Sequence, residues 1–280
     1  MEDDKAPRAP VDARAPAAAR EDEAQVYARC AGRAGGRAAG RALALGRAAW
    51  RACLDALLPC ACALCGQVQR EVVCAGCAQD LLPVVPRCPV CGLPAGRSAG
   101  GASLPCAGCR QAAPSFDAAL TLGDYAPPQD SLVLALKFGG VLPLAGWLAA
   151  QLAGRMVRSG FPAPALLAPV PLAPRRLATR GFNQAWEIAR PLARQLGVRA
   201  DPVLLRRRRE TSAQSALDLA ARGRNVQDAF ALSVPARLDG LHVGLVDDVM
   251  TSGATLAAAA RTLKAHGAAR VTVLVALRTP

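Results

Sequence analysis

The chain has 280 residues, 52% of them hydrophobic and 20% charged; that apolar share can fill a sizeable core in about two domains, which excludes a wholly disordered chain. Against 21 Asp and Glu stand 34 Lys and Arg, a formal charge of +13, which suits a phosphate-bearing partner, whether nucleic acid or polyphosphate substrate. No stretch is long and apolar enough to enter a membrane: the best, residues 138–154, is uncharged but short and broken by Gly, Pro and Gln.

Residues 1–24 are rich in Pro, Ala and mixed charge without periodicity and read as a disordered extension. Their polar, acidic opening, MEDDKAPRAP, is unlike a secretory signal, which places the protein in the cytoplasm. There the 11 Cys are expected to bind metal rather than to form disulfides. Residues 25–59 read as a basic helical segment with Arg29, Arg33, Arg37 and Arg41 along one face, a solvated helix before a nucleic-acid or lipid contact.

Residues 60–112 hold four CxxC pairs: Cys62 with Cys65, Cys74 with Cys77, Cys88 with Cys91, and Cys106 with Cys109. Each CxxC turn places two thiolates on one side of a tight loop, and two such turns complete a four-cysteine zinc site. Gly66 and Gly92 follow their pairs directly, where a knuckle turn favours glycine. A Gly- and Pro-rich segment of this size builds no core of its own and needs metal to fold. Two structural zinc ions are therefore expected, ahead of an iron–sulfur cluster or a redox pair. The spacing leaves the partners open: sequential pairing gives two ribbons, alternating pairing a cross-braced module. Cys30, Cys53 and Cys60 are spare.

From Phe116 the pattern changes, and residues 113–280 form the second expected unit. The apolar runs 166–170, 241–246 and 271–277 read as strands, and 183–196 and 254–266 have helical spacing. Strands alternating with helices imply an α/β fold with a parallel sheet.

The most informative string is VGLVDDVMTSGAT at 243–255. An apolar strand ends in Asp247 and Asp248, and a hydroxyl-rich turn then opens a helix. Backbone N–H groups over 250–255, with the hydroxyls of Thr251, Ser252 and Thr255, can surround a phosphate at the helix N-terminus. Gly253 permits close backbone approach. The two acids would repel phosphate, so they face sugar hydroxyls or a magnesium ion. The plainer alternative is a helix capped by Thr251 or Ser252. No GxxxxGK[ST] is present, so this is not a Walker loop. Neither His242, entering a strand, nor His266, at a helix end before Gly267, is placed as a general base.

That string resembles the ribose-phosphate signature of type I phosphoribosyltransferases. The resemblance implies that Asp247 and Asp248 hold the ribose hydroxyls of 5-phosphoribosyl 1-diphosphate (PRPP), with Val249, Met250, Thr251, Ser252, Gly253, Ala254 and Thr255 around its 5-phosphate. Upstream, LLAPVPLAPRRLATRGFNQA begins as a strand, turns at its prolines and enters a helix at about Phe182. Arg175, Arg176 and Arg180 would lie at the same sheet edge, suited to a diphosphate. The polar run 206–225 reads as a mobile cover over the site. Residues 175–224 carry 12 Arg and 4 acids, net +8, so much of the excess charge gathers here.

Taken in order, four CxxC pairs, LALKFGG, PVPL…RGFNQA, TxxQxxL…RxxN…AF and LVDDVMTSGAT resemble the ComF family over roughly residues 60–280. The resemblance implies a double zinc ribbon joined to a phosphoribosyltransferase-type parallel sheet flanked by helices. It implies PRPP with magnesium, transfer of the phosphoribosyl group to an unidentified acceptor, and a link to natural competence and incoming single-stranded DNA. Arg180, Gly181, Phe182, Asn183 and Gln184 match one family motif; Thr211, Gln214, Leu217, Arg222 and Asn225 match another. Ser252 stands where the family more often has Thr and keeps the hydroxyl. The alternative is a non-catalytic factor that binds single-stranded DNA or serves as a scaffold for a helicase-like competence protein. Against DNA, only 10 residues are Phe, Trp or Tyr, few of them among the basic runs, so no stacking platform is legible. The acceptor and the oligomeric state are not encoded in any motif.

Overall fold

The computed structural model describes residues 60–98, 101, 103–208, 229–233 and 237–280. The expectations for 1–59, and for Thr211, Gln214, Leu217, Arg222 and Asn225, fall outside the described residues.

The Cys-rich segment has little regular structure. A two-residue ladder of β1 (Cys60–Ala61) and β2 (Val68–Gln69) precedes helix α1 (Ala75–Leu81), and α2 (Ala107–Gln111) follows later. Next come β3 (Ala118–Asp124), α3 (Asp130–Lys137), α4 (Pro143–Arg158), β4 (Leu166–Pro169), α5 (Pro174–Arg180), α6 (Gln184–Leu196) and β5 (Arg199–Ala200). An antiparallel ribbon of β6 (Leu205–Arg207) and β7 (Phe230–Leu232) leads to β8 (His242–Met250), α7 (Ala254–Ala265) and β9 (Arg270–Arg278).

The main sheet has five parallel strands in the order β3-β9-β8-β4-β5. Its central strands are buried on both faces, which is why they read as unbroken apolar runs: Val243, Leu245, Val246, Val271, Val273, Leu274 and Val275 are all solvent-free. Helices α3, α4 and α6 cover one face with Leu132, Leu148 and Ile188. On the other face lie α7 and the ribbon, with Leu256, Leu263 and Phe230. The expected α/β architecture is present, with the Cys-rich segment before it.

Three expectations need correction. The strand expected over 241–246 continues through the acidic pair to Met250. The stretch expected to turn at its prolines before a helix at about Phe182 holds helix α5, opened by Pro174 at its first position, where a missing N–H costs nothing. The start of the expected cover, Arg206 and Arg207, belongs to β6, and Arg207 Nε donates to Pro171 O. The apolar stretch considered against a membrane is largely α4, whose Leu144, Leu148 and Leu152 are core residues. No helix of the described residues is long and apolar enough to cross a membrane.

Between α5 and α6 the chain reverses at Gly181, whose φ of +80° is the left-handed conformation. Buried Asn183 then caps α6: its Oδ1 accepts from Ala185 N at 3.0 Å, and its Nδ2 donates to Val170 O at 3.1 Å. The same amide thus closes a helix and ties it to the exit of β4. Asn183→Ala removes both bonds and should lower unfolding free energy by about 1–3 kcal/mol, measured by urea denaturation.

Candidate functional site

The eight paired cysteines form two clusters, Cys62, Cys65, Cys74 and Cys77, and Cys88, Cys91, Cys106 and Cys109, each with its sulfurs within 4.8 Å of one another. The pairing left open by the spacing is therefore sequential. Both clusters use one construction. A knuckle closes with Gly66 N donating to Cys62 O, or Gly92 N to Cys88 O, at 2.9 Å, and both glycines have positive φ. A second pair then enters a short helix, α1 with Cys74 at its N-cap and α2 with Cys106.

The donor set fits zinc. A tetrahedron of sulfurs at about 2.3 Å from the metal has edges of about 3.8 Å, and the Cys65–Cys74 and Cys91–Cys106 sulfurs lie 3.7 and 3.6 Å apart. Amides point at the sulfurs: Cys74 N to Cys62 Sγ at 3.4 Å, and Cys106 N to Cys88 Sγ at 3.3 Å. Burial raises both thiols, but the backbone donors outweigh it, bringing Cys62 to about 6 and Cys88 to about 7. Four sulfurs at this spacing, two of them drawn towards the thiolate by backbone amides, make each cluster suited to a zinc ion. Exposed Cys60 belongs to neither cluster.

Asp247 and Asp248 sit near the C-terminal end of central strand β8, the edge at which α/β sheets receive ligands. Leu245 packs into the α7 layer and Val246 into the opposite one; three residues on, Val249 joins Val246, and Met250 joins Leu245. The alternation of faces therefore slips by one step at the acidic pair. The carboxylates take up amides there: Asp248 N donates to Asp247 Oδ1 and Val249 N to Asp248 Oδ1, each at 2.9 Å.

Lys137, the last residue of α3, places Nζ 2.6 Å from Asp248 Oδ2, with side chains 18% and 5% exposed. Burial first, then the charge of Asp248, raises the Asp247 carboxyl well above the ordinary carboxylate value; the Asp248 amide and the Lys137 cation oppose the shift. After Met250 the loop turns, with Thr251 and Ser252 exposed and Thr255 partly so. Gly253, at φ +79°, is the N-cap of α7, not Thr251 or Ser252. Ser252 Oγ accepts from Ala254 N at 3.4 Å. The loop therefore offers hydroxyls and the first N–H groups of α7 at the sheet edge.

Lys137, the ion-pair partner of Asp248, lines a cleft of about 800 Å³ together with Phe138, Arg175, Arg176, Arg180 and Gln184 among others. Three arginines from α5 thus meet the lysine that pairs with Asp248. Neither the acidic pair nor the phosphate-loop residues that follow it in the chain line this cleft.

A phosphoribosyl transferase domain model matches residues 183–280. DNA utilization protein YhgH of Salmonella typhi is 39% identical over 211 residues, spanning 74% of this chain and 90% of that protein. The chain belongs to the ComF family. Competence protein F of Haemophilus influenzae is 29% identical over 215 residues, again across 74% of this chain and 90% of the relative. A purine phosphoribosyltransferase structure from Pyrococcus horikoshii aligns with a TM-score of 0.31 and 16% identity, over 48% of this chain and 82% of its own.

In this ComF-family chain the RGFNQ motif divides by role. Arg180 and Gln184 line the cleft, whereas Gly181 and Asn183 shape the turn between α5 and α6. Two residues that sequence reasoning leaves without a role stand in the site. Lys137 is one of 3 lysines beside 31 arginines, a scarcity that is itself a signal. Phe138, beside it, is 75% exposed with the Arg180 guanidinium 5.5 Å from its ring centre. The histidines stay outside: His242 begins β8 with Nε2 2.8 Å from Thr272 Oγ1, and His266 Nδ1 lies 2.7 Å from Thr262 O.

Proposed function

We propose that residues 113–280 bind PRPP and transfer its phosphoribosyl group to an acceptor, and that residues 60–112 are a double zinc ribbon packed beside this domain. The observation that carries the reading is the 247–255 segment at the C-terminal edge of a parallel sheet, linked through Lys137 to a cleft lined by Arg175, Arg176 and Arg180. Thr251, Ser252, Gly253, Ala254 and Thr255, following Val249 and Met250, would hold the 5-phosphate. Asp247 and Asp248 would take the ribose hydroxyls, and the α5 arginines the diphosphate. Thr211, Gln214, Arg222 and Asn225 would close over the ligand. The cytoplasm, where PRPP and reduced thiols coexist, is the compartment this chemistry requires.

Transfer breaks the bond from ribose C1 to diphosphate, which leaves with the electron pair, while the acceptor bonds to C1 and loses a proton. Positive charge develops on the sugar, and an ionised Asp247 would stabilise it. Magnesium bound with the diphosphate would neutralise part of its charge; Asp247 would be the oxygen donor available to it, since Asp248 Oδ2 is paired with Lys137. Calorimetric titration of PRPP with magnesium tests the reading, beside Asp247→Ala/Asp248→Ala and with ribose 5-phosphate as control. Saturable binding to the wild type, lost in the variant, is expected. A folded, zinc-loaded wild type that takes up no PRPP would overturn it.

A second reading has its own observation. The fold brings Phe138, Phe182 and Tyr125 to the cleft that holds the arginines, an aromatic and basic combination that can stack a base and bind its phosphates. Relatives carry names of DNA utilization and competence, and a non-catalytic role on single-stranded DNA fits such a surface. Phe138→Ala should then weaken oligonucleotide binding about fivefold or more. Added salt should weaken it further. Fluorescence anisotropy at two salt concentrations reads both, and an unaffected variant removes the stacking argument.

A further inference from the structure

Arg278, the last residue of β9, is 8% exposed and paired across the sheet with Met250. Its guanidinium gathers backbone carbonyls from two separate parts of the chain. Nε donates to Cys91 O at 3.2 Å, in the knuckle of the second cysteine cluster. Nη1 donates to Met250 O at 3.2 Å and to Thr251 O, where the phosphate loop leaves the strand. Thr279 O, at 2.6 Å, completes the set. Between knuckle and loop lies a cavity of about 270 Å³, with Cys91, Cys106 and Cys109 on one wall and Met250, Ser252 and Gly253 on the other.

The knuckle is fixed to the sheet at further points. Ala119 N, in β3, donates to Pro89 O at 3.0 Å, and Arg87 Nη1 bridges Gly92 O and Asp124 Oδ1 at 3.1 and 2.6 Å. A Cβ at Gly92 would meet Thr121 Cγ2 at 3.2 Å and Met250 Cε at 3.8 Å, so the knuckle sits against β3 and the end of β8 with little room between them. The first cluster has no such link: among the described residues its Cys62, Cys65, Cys74 and Cys77 are absent from the cavity wall, and Val72, Val73 and Leu81 beside them pack into the helical layer on the other face.

We propose that the second cysteine cluster and the phosphate loop are thermodynamically coupled, with Arg278 as the positioning residue between them. Metal at Cys88, Cys91, Cys106 and Cys109 fixes the carbonyl of Cys91. A zinc ion with four thiolates also carries net charge −2, which steadies the buried guanidinium. The guanidinium in turn holds the carbonyls of Met250 and Thr251 and thereby the loop. Coupling is reciprocal, so a ligand that orders the loop retains the metal, and loss of the metal weakens the ligand. The ligand half of this inference rests on the loop's reading as a PRPP site.

The experiment uses the whole zinc-loaded protein, wild type and Arg278→Lys, which keeps the charge but not the fork. Thiol alkylation in the presence of a chelator, read by peptide mass, follows each cluster separately, with and without PRPP and magnesium. PRPP is expected to slow alkylation of Cys88, Cys91, Cys106 and Cys109 about fivefold or more, leave the first cluster unchanged, and lose this selectivity in Arg278→Lys. Equal protection of both clusters, or none while calorimetry shows PRPP bound, overturns the coupling. Hydrogen exchange at residues 250–255 reads the protein side without ligand: faster exchange in Arg278→Lys, with the sheet unchanged, is expected, and unchanged loop exchange overturns the proposal. If calorimetry finds no PRPP binding, the functional reading fails alone, and the exchange result still decides the coupling.

Discussion

Zinc removal is expected to unfold residues 60–112 while the sheet beyond them keeps its secondary structure. Apart from its cysteines, the described part of this segment buries the side chains of only Val73, Leu81 and Leu82. Each contributes about 1.5–3 kcal/mol, whereas ordering the chain costs roughly 1.5 kcal/mol per residue. Apolar burial alone therefore falls far short of holding this segment, and structural zinc, which contributes about 10–16 kcal/mol per site in small zinc domains near neutral pH, is the strongest further contribution its donors allow. The main sheet has its own core on both faces, from Leu132 and Ile188 to Leu256 and Val273. Elemental analysis should find two zinc ions per chain, both removed by a strong chelator. Hydrogen exchange should then accelerate across 60–112 while β8 and β9 stay protected. Cys62→Ser with Cys65→Ser should reproduce the effect at the first cluster. Protection of 60–112 that survives in metal-free protein would refute a zinc-dependent fold.

The cysteine chemistry is legible in the sequence because a ligand type repeated at fixed spacing has few other uses. The pairing is not, because it depends on where α1 and α2 turn, and both are too short to show helical periodicity. Strands β4, β8 and β9 are legible as apolar runs buried on both faces. β3 is not: Ala118, Ala119 and Gly123 fit between neighbouring layers but carry little β propensity. The acidic pair reads as the end of a strand because two adjacent carboxylates oppose burial. β8 carries them inside because the amides of Asp248 and Val249 and the cation of Lys137 satisfy them. Lys137 itself lies far away in sequence, so only the fold reveals the pairing. Arg278 is hidden in the same way, as a charge at the end of the run VTVLVALR.

Lys137→Met is expected to destabilise the fold by roughly 3 kcal/mol near neutral pH, the scale for removing one partner of a buried ion pair. Asp248, 5% exposed, would lose the cation that pairs with its Oδ2. Asp247 adds a pH dependence whose sign is fixed. Its carboxyl is already raised, by burial first and Asp248 second, and Lys137 is among the groups holding it down; without Lys137 it rises further. A carboxyl raised in the folded state contributes stability that is complete below its unfolded value and is lost as pH rises through the folded one. The variant's deficit should therefore narrow as pH falls from about 8 towards the ordinary carboxylate value of about 4, with zinc content checked at each point. Urea unfolding across that range reads the trend, and a constant deficit would mean that packing of the Lys137 stem, not its charge, is lost. Lys137→Met/Asp248→Asn should regain part of the stability, because the uncompensated charge is gone. If Asp248 takes ribose hydroxyls as proposed, PRPP binding should not return with it, since the amide puts a donor in place of one carboxylate oxygen and carries no charge. Stability and binding would then separate at one residue pair, which is the behaviour expected where a buried charge is kept for a ligand rather than for the fold.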